Sequence, residues 1–246
     1  MRMYRILMSL LLATVLIAGL HNSLFAQDQP ETGNAHQEKM QQTNLFSYNP
    51  PKRGAPGNRI GGGTRGEKDD IPLFSVLVPE DHVGLTTRDK PVLCWYISGP
   101  TSKQMEFSLN DEAAGETLLQ MNLEQPKAAG AQMIDLSRYD IRLSPGKKYI
   151  WFVTMAVDPN KPSKDIFSGG AIEFVPPAGQ LAEKLKKAGD NEKPAIFAEE
   201  GIWYDALSYL SRRIENDPEN VTLRKQRIEL IRRAGLENVA ELMDGR

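Results

Sequence analysis

Residues 143–151 read Leu-Ser-Pro-Gly-Lys-Lys-Tyr-Ile-Trp. The Pro145-Gly146 pair is typical of a tight turn, because proline presets φ and glycine accepts a positive φ without steric cost. Tyr149 then opens a stretch of apolar and β-prone residues that runs to Val157, and such residues favour a strand. The segment therefore predicts a turn followed by a long strand that begins at a tyrosine.

Further short β-prone runs lie on both sides of this strand, between Ile71 and Phe174. Turn residues separate the runs and no helical segment lies between them, which favours an antiparallel sandwich over a parallel sheet. The leucine, the Pro-Gly turn and the strand-opening tyrosine resemble the tyrosine corner of immunoglobulin-like and fibronectin type III sandwiches. Trp95, on an earlier strand, would then be the core tryptophan. The predicted strands are Phe74 to Val78, Val92 to Ser98, Met105 to Leu109, Leu118 to Leu123, Gln132 to Leu136, Tyr149 to Val157 and Ala171 to Val175.

Helix signals replace strand signals after Pro176-Pro177. A first helix is predicted from Gln180 to Ala188, and residues 190–192 offer an N-cap for a second helix. We therefore expect a β-sandwich over residues 71–176 and a helical unit over residues 177–246.

An interval of 34 residues recurs in this helical unit, where Gly201 matches Gly235 and Ala206 matches Ala240. Helical self-similarity at this period is typical of tetratricopeptide repeats, in which a glycine ends one helix and an alanine lets the partner helix approach closely. Pro218 falls at the spacing of the motif's closing proline. One nearly full repeat and a truncated second are fewer than an independent solenoid needs, so we expect these helices to dock on the sandwich.

The N-terminus has the parts of a secretory signal peptide. Arg2 and Arg5 precede an uncharged apolar run from Ile6 to Leu20, and a polar stretch then ends in the small residue Ala26; this order is typical of such signals. The apolar run of about 15 residues is shorter than the roughly 20 that span a bilayer. We expect residues 1–26 to be removed near Ala26, leaving a periplasmic or extracellular protein, with an uncleaved anchor as the alternative.

The segments that follow the signal carry no regular pattern. Residues 27–44 are polar and lack apolar periodicity, which indicates a disordered spacer. Residues 45–70 are rich in proline and glycine and predict an extended or turn-like segment.

Charge and cysteine content narrow the classes of ligand. The formal charge is −2, and removal of Arg2 and Arg5 makes it −4, a mild value that does not indicate nucleic acid as a partner. Cys94 is the only cysteine, so an internal disulfide is impossible. Its apolar neighbours indicate a small buried hydrophobe, and an intermolecular bridge is the alternative.

The sequence carries no recognisable catalytic or metal-binding pattern. The mature chain has two histidines, His36 and His82, which do not stand at ligand spacing, so we predict no metal site and no cofactor. A Gly-x-Ser-x-Gly elbow is also missing from the sequence. A carboxylate pair for hydrolysis would have to come from Glu199, Glu200 and Asp205, although acidic residues at a helix junction are usually solvated or capping. We therefore predict that the protein is not an enzyme.

Basic residues are the candidates for partner binding. Arg59 and Arg65 flank the glycines of residues 61–63, in a segment that lacks the Gly-Lys-Ser/Thr ending of a phosphate-binding loop. Arg212 and Arg213 belong to a basic helical face, for which a solvated surface is the simplest explanation. We predict that these four arginines contact another envelope protein. Anionic lipid headgroups or cell-wall polymer are the alternative, with the membrane contacted only peripherally.

Several motifs follow one another along the chain: Tyr48 to Pro51, Arg59 to Gly66, Leu77 to Glu80, Gly84 to Thr86, Gly146 to Trp151, Asp158-Pro159 and Glu200 to Leu207. In this order they resemble a bacterial family of exported proteins known as domain of unknown function 928. The likeness runs from about Tyr48 to Leu242 and implies the same architecture without an assigned activity. In the family that this chain resembles, many members carry a cysteine after the Arg-Gly pair and another before the Asp-Pro, where this chain has Glu67 or Lys68 and Val157. The disulfide that this pattern implies is therefore absent here.

Together these patterns predict an exported, non-catalytic protein-interaction module of the cell envelope. Its fold is predicted to be an immunoglobulin or fibronectin type III-like antiparallel β-sandwich followed by a short tetratricopeptide-like α-helical unit; both folds are widely used for protein contacts. Two alternatives stay open. A glycan or polymer binder would show exposed aromatic residues on the sandwich face, and an unrecognised hydrolase would show a deep pocket with convergent carboxylates.

Overall fold

The computed structural model describes residues 47–51 and 71–245 of the 246-residue chain. This part of the chain contains two β-sheets and five α-helices, so the fold is mixed β and α, with the strands first and the helices after them. The predicted signal peptide, the spacer and most of the 45–70 segment lie outside the described residues. In the described part, the helices are too short or too polar to cross a membrane.

The secondary-structure elements are numbered here in chain order. The strands are β1 Phe74–Val76, β2 Gly84–Thr86, β3 Val92–Ile97, β4 Met105–Asp111, β5 Glu116–Leu123, β6 Gly130–Asp135, β7 Lys148–Met155 and β8 Ile166–Phe174. The helices are α1 Gly179–Lys187, α2 Lys193–Glu199, α3 Trp203–Asn216, α4 Val221–Arg233 and α5 Glu237–Asp244. Short 3-10 turns span Leu136–Arg138 and Pro162–Lys164.

The two sheets have the strand orders β1-β3-β6 and β2-β8-β7-β4-β5. Neighbouring strands are antiparallel except for β2 and β8, which run parallel. The expectation of purely antiparallel pairing is therefore wrong at this one pair. Strand β2 was also not predicted, because a three-residue strand that starts at Gly84 has too few residues to show an alternating pattern.

The burial patterns explain why these segments are strands. In β4 and β7 every second residue is buried, so one face of the five-stranded sheet points into the core. All six residues of β3 are buried instead, and β3 also lies against α3. Strand β3 is thus covered on both faces, which explains its continuous apolar sequence.

A hydrogen bond from the backbone to a side chain closes the turn at residues 143–151. The backbone N–H of Ser144 donates to the hydroxyl of Tyr149 at 2.9 Å, and the Tyr149 ring is buried. Gly146 adopts a φ of +71°, the left-handed conformation that glycine reaches without strain. Trp95 is buried, as predicted, and packs edge-on against Phe74 with ring centroids 6.4 Å apart.

The 34-residue interval corresponds to two units of helix, glycine and helix. Gly201 follows α2 with a φ of +73°, and Gly235 follows α4 with a φ of +85°. In the helix after each glycine, Ala206 and Ala240 are fully buried. Gly201 also has to be a glycine because a Cβ there would lie 2.6 Å from the backbone oxygen of Asn49.

Helix α3 joins the helices to both sheets through buried aromatic side chains. The indole N–H of Trp203 donates to the carbonyl of Leu77, and the hydroxyl of Tyr204 donates to the carbonyl of Ala171, each at 2.9 Å. The indole N–H of Trp151, from β7, donates to the same Tyr204 hydroxyl at 2.9 Å. Residues of sheets and helices therefore form one hydrophobic core.

Candidate functional site

A cavity of about 820 Å³ opens between the edges of the two sheets. We call it the edge groove. It is lined by Met121 to Glu124, Ala131 to Asp135, Arg138, Tyr139, Arg212, Glu215 and Asn216, with the buried Val92 and Trp95. Its walls are thus the end of β5, strand β6, the 3-10 turn after β6 and the last turns of α3.

The edge groove is bordered by strand edges. Strands β5 and β6 each stand at the end of their sheet within the described residues. Four consecutive residues from 121 to 124 and five from 131 to 135 line the cavity. Alternate residues of a strand point to opposite faces, so a run of consecutive residues can line one cavity only along the edge of the strand.

One ion pair crosses the groove wall. Arg212 of α3 donates to Asp135 Oδ2 at 2.6 Å, and the backbone N–H of Ser137 donates to Asp135 Oδ1 at 2.9 Å. Partial burial alone would raise the pKa of Asp135, but the hydrogen bonds from Ser137 and the positive charges of Arg212 and Arg138 outweigh it and lower the pKa. Asp135 is therefore a carboxylate at neutral pH and neutralises part of the positive charge of Arg212 and Arg138.

The other carboxylates of the groove are exposed. Glu124 follows β5 and Glu215 lies in the last turn of α3. Within the described residues neither side chain forms a salt bridge. The groove thus combines the ion pair of Asp135 and Arg212 with two exposed carboxylates, of which Glu215 lies within electrostatic reach of Arg227.

The four arginines predicted to bind a partner do not lie together at one described site. Arg212 lines the edge groove, where it is bound to Asp135. Arg213 lies next to it on α3 but does not line the groove. Arg59 and Arg65 lie outside the described residues. Sequence reasoning selected Arg212 for its charge and missed the strand edges beside it, because no local pattern shows which strands end a sheet.

Cys94 lies in β3 opposite Met133 of β6. It is 1% exposed, and burial raises the pKa of its thiol to about 12. A buried, protonated thiol is unreactive. These properties match a small hydrophobic core residue.

The carboxylates considered for hydrolysis have separate environments. Asp205 is 1% exposed and accepts hydrogen bonds from Thr86 Oγ1 at 2.8 Å, Thr87 N at 2.9 Å and Thr87 Oγ1 at 2.9 Å. Glu200 pairs with Lys184, while Glu199 is exposed. Asp205 therefore holds the chain after β2 against α3, and the three carboxylates do not share the lining of the edge groove.

His82 belongs to a chain of polar side chains near α3. Its Nε2 is hydrogen-bonded to the hydroxyl of Tyr48, and its Nδ1 contacts Asp81 Oδ1 at 2.6 Å. The Tyr48 ring is buried against His82 and Trp203, which holds residues 47–51 in place. In the described part of the chain, no three His, Cys, Asp or Glu side chains come together as metal ligands.

Two aromatic side chains lie on the outer face of the five-stranded sheet. Phe167 of β8 is 44% exposed, and its ring packs edge-on against Phe152 of β7 with centroids 6.1 Å apart. The Phe152 ring lies over Gly169, where any side chain would overlap it. On neighbouring strands of this sheet, Gln120 Nε2 donates to Glu106 Oε1 at 3.0 Å.

Comparison with known proteins adds a family match. The model of a family described as Domain of Unknown Function (DUF928) matches residues 60–243. The matched range includes all the strands named above and the helices as far as α5. No curated protein matches the sequence.

Proposed function

We propose that this chain, which belongs to the domain of unknown function 928 family, is an exported, non-catalytic protein-interaction module of the cell envelope. The family membership agrees with the resemblance of the sequence motifs and leaves the activity to be argued from the structure. The observation that carries the proposal is the edge groove, where the edges of two different sheets border one cavity.

The composition of the groove supports a macromolecular ligand. Buried apolar side chains, Val92 and Trp95, lie beneath a rim that carries Glu124, Arg138 and Glu215. An apolar centre within a polar rim is the usual anatomy of a protein-protein contact.

We also propose the finer assignment of the fold. The bond between Ser144 N and the Tyr149 hydroxyl supports an immunoglobulin or fibronectin type III-like sandwich. The two helix-glycine-helix units at an interval of 34 residues support a tetratricopeptide-like unit. Both folds commonly present surfaces to partner proteins.

The proposal predicts that capture of a partner depends on the groove. Tagged mature protein and the variant Arg138→Glu/Glu215→Arg are incubated with the native envelope fraction, and bound proteins are identified by mass spectrometry. We expect one partner to be recovered with the native protein and at least about tenfold less with the variant, because reversed rim charges oppose a complementary surface. Both substituted residues are exposed, so the variant should fold.

The control variant is Lys225→Glu, a charge reversal on the exposed surface of α4. It should capture the partner as the native protein does. Equal recovery of every captured protein by all three proteins would contradict the proposal, because no partner would then depend on the groove.

A second candidate function, binding of envelope glycan, has one observation in its favour. Phe167 and Phe152 lie beside polar side chains on the outer sheet face, and aromatic rings next to hydrogen-bonding groups suit the apolar faces and hydroxyls of sugars. If this face binds glycan, the protein should pellet with insoluble envelope polysaccharide, and Phe167→Ala should remain in the supernatant. Phe167→Tyr, which keeps the ring, should still pellet. Native protein that stays in the supernatant would remove this candidate.

A further inference from the structure

We propose that the edge groove binds an extended segment of the partner protein as an added strand on β6, with a lysine or arginine of that segment facing Glu124 and Glu215. The inference rests on the proposed function and specifies the chemistry of the partner. It follows from the direction of the backbone groups of β6, the side chains around them and the charges of the groove.

The hydrogen-bond pattern shows which backbone groups of β6 point into the groove. Strands β3 and β6 pair antiparallel, and the N–H of Leu136 just after β6 donates to the carbonyl of Pro91 just before β3 at 3.0 Å. In an antiparallel pair, residues alternate between those bonded to the partner strand and those that point away from it. The backbone groups of Ala131, Met133 and Asp135 therefore point away from β3.

The hydrogen bonds on the side of β3 that faces β1 show independently which residues of β6 point away from β3. The carbonyl of Cys94 accepts from the N–H of Leu77 at 2.9 Å, on the side of β1. Cys94 stands opposite Met133 in the register. Since the carbonyl of Cys94 points to β1, the pair with Met133 is a non-hydrogen-bonded pair, and the N–H of Met133 faces the groove.

These groups are suitably placed for an added strand. Ala131, Met133 and Asp135 all line the edge groove, and within the described residues no strand pairs with this edge of β6. Outward groups that recur at every second residue are about 6.6 Å apart, which is the repeat of a second strand. A row of unpaired N–H and C=O groups is the template on which extended peptides bind by strand addition.

The side chains around this edge accept a peptide of varied apolar sequence. Met121 of β5 and Met133 of β6 are both half-buried in the groove. Methionine is flexible and polarisable, so it adapts to apolar side chains of different shape. The backbone of β6 thus binds the peptide, while the groove accepts apolar side chains of different shapes.

Charge complementarity selects a basic residue in the added segment. Asp135 is neutralised by Arg212, and Arg138 adds positive charge nearby. The remaining carboxylates, Glu124 and Glu215, are exposed. Arg227 lies within electrostatic reach of Glu215 and offsets part of its charge, while the last carbonyls of α3 add partial negative charge beside it. A lysine or arginine of the peptide is therefore favoured on this side of the groove, and an acidic residue is disfavoured.

The test uses synthetic peptides and amide hydrogen exchange of the complete mature protein. The probe is a seven-residue peptide of alternating threonine and valine with a central lysine, and its two controls are the same peptide with a central glutamate and a form N-methylated at the three central residues. We expect the lysine peptide to slow exchange at Ala131, Met133 and Asp135. The N-methylated form should not, because it keeps the side chains and loses the backbone donors.

The preference for a basic residue in the peptide is tested with the double variant Glu124→Gln/Glu215→Gln. Both substituted residues are exposed. The native protein should bind the lysine peptide about tenfold more tightly than the glutamate peptide, and the variant should lose this preference. Lys225→Gln should retain it. Slowed exchange without a preference for lysine would overturn the basic specificity.

Equal binding of the N-methylated peptide, or no binding of the lysine peptide at millimolar concentration, would overturn strand addition. Either result is distinguishable from failure of the proposed function. A partner captured through the groove that leaves the three amides exchanging freely would refute only the strand addition. A partner that is captured regardless of groove variants would refute the proposed function.

Discussion

Expressed without residues 179–246, the two sheets are expected to remain unfolded. The helices cover one face of β3, whose six residues are all buried in the complete chain. Removal of α3 also removes Trp203 and Tyr204, both almost fully buried. Loss of one such aromatic side chain to alanine costs about 3–5 kcal/mol, and a domain is stable by only about 5–15 kcal/mol in total.

Polar groups left by the truncation add to this loss. The carbonyls of Leu77 and Ala171 and the indole N–H of Trp151 would all lose their hydrogen-bond partners on α3. Amide dispersion in a two-dimensional NMR spectrum and urea unfolding of residues 47–178 would test the expectation, with residues 47–245 as the control. A cooperative unfolding transition in the shorter chain would show that the sheets fold without the helices.

Local patterns were sufficient to predict most of the strands and the change from strands to helices. The alternation in β4 and the apolar run of β3 are properties of neighbouring residues, and so is the turn before Tyr149. Strand β2 is different, because its glycine lies under a ring from α3: a Cβ at Gly84 would be 2.6 Å from Tyr204 Cε2. The reason for that glycine lies far along the chain, so no local pattern indicates the strand or its parallel pairing.

The edge groove could not be predicted for the same kind of reason. Its existence depends on which strands end their sheets, and strand order is a property of the whole fold. Arg212 was selected from the sequence for its charge, but its partner Asp135 stands 77 residues earlier. The sequence therefore indicated a basic residue on a helix, but it did not indicate the strand edge beside which this residue lies.

Replacement of Asp205 by alanine is expected to lower the free energy of unfolding by about 1–3 kcal/mol, because hydrogen-bond donors packed around the buried carboxylate would lose their acceptor. Thr86 Oγ1, Thr87 N and Thr87 Oγ1 all donate to this carboxylate, and Arg88 lies 3.5 Å from it. Asp205→Asn should cost less, because the amide oxygen still accepts hydrogen bonds. Urea unfolding at neutral pH measures both values, and equal losses would contradict a role for the acceptor oxygens.

The difference in stability between the native protein and Asp205→Asn should change with pH in one direction. Burial raises the pKa of Asp205, and the hydrogen bonds from Thr86 and Thr87 with the charge of Arg88 oppose this only in part. The folded state therefore holds the proton more tightly than the unfolded chain, whose aspartate pKa is about 3.9. The part of the stability that depends on the proton of Asp205 is then fully present below pH about 3.9 and is lost as the pH rises through the folded pKa.

The stability of the native protein relative to Asp205→Asn should accordingly fall as the pH rises across this range. Asp111 is the matched control, because the backbone N–H of Ala114 and the Lys147 side chain lower its pKa. Its contribution has the opposite sign: it is present above the unfolded pKa and lost as the pH falls through the folded pKa. In urea unfolding over a pH range that extends below about 3.9, native minus Asp205→Asn should therefore fall as the pH rises above about 3.9. Native minus Asp111→Asn should rise with pH below about 3.9 and be flat above it. A difference for Asp205 that rises with pH, as that for Asp111 does, would show that the donors around Asp205 outweigh its burial, and that the carboxylate stabilises the junction of β2 and α3 through its charge.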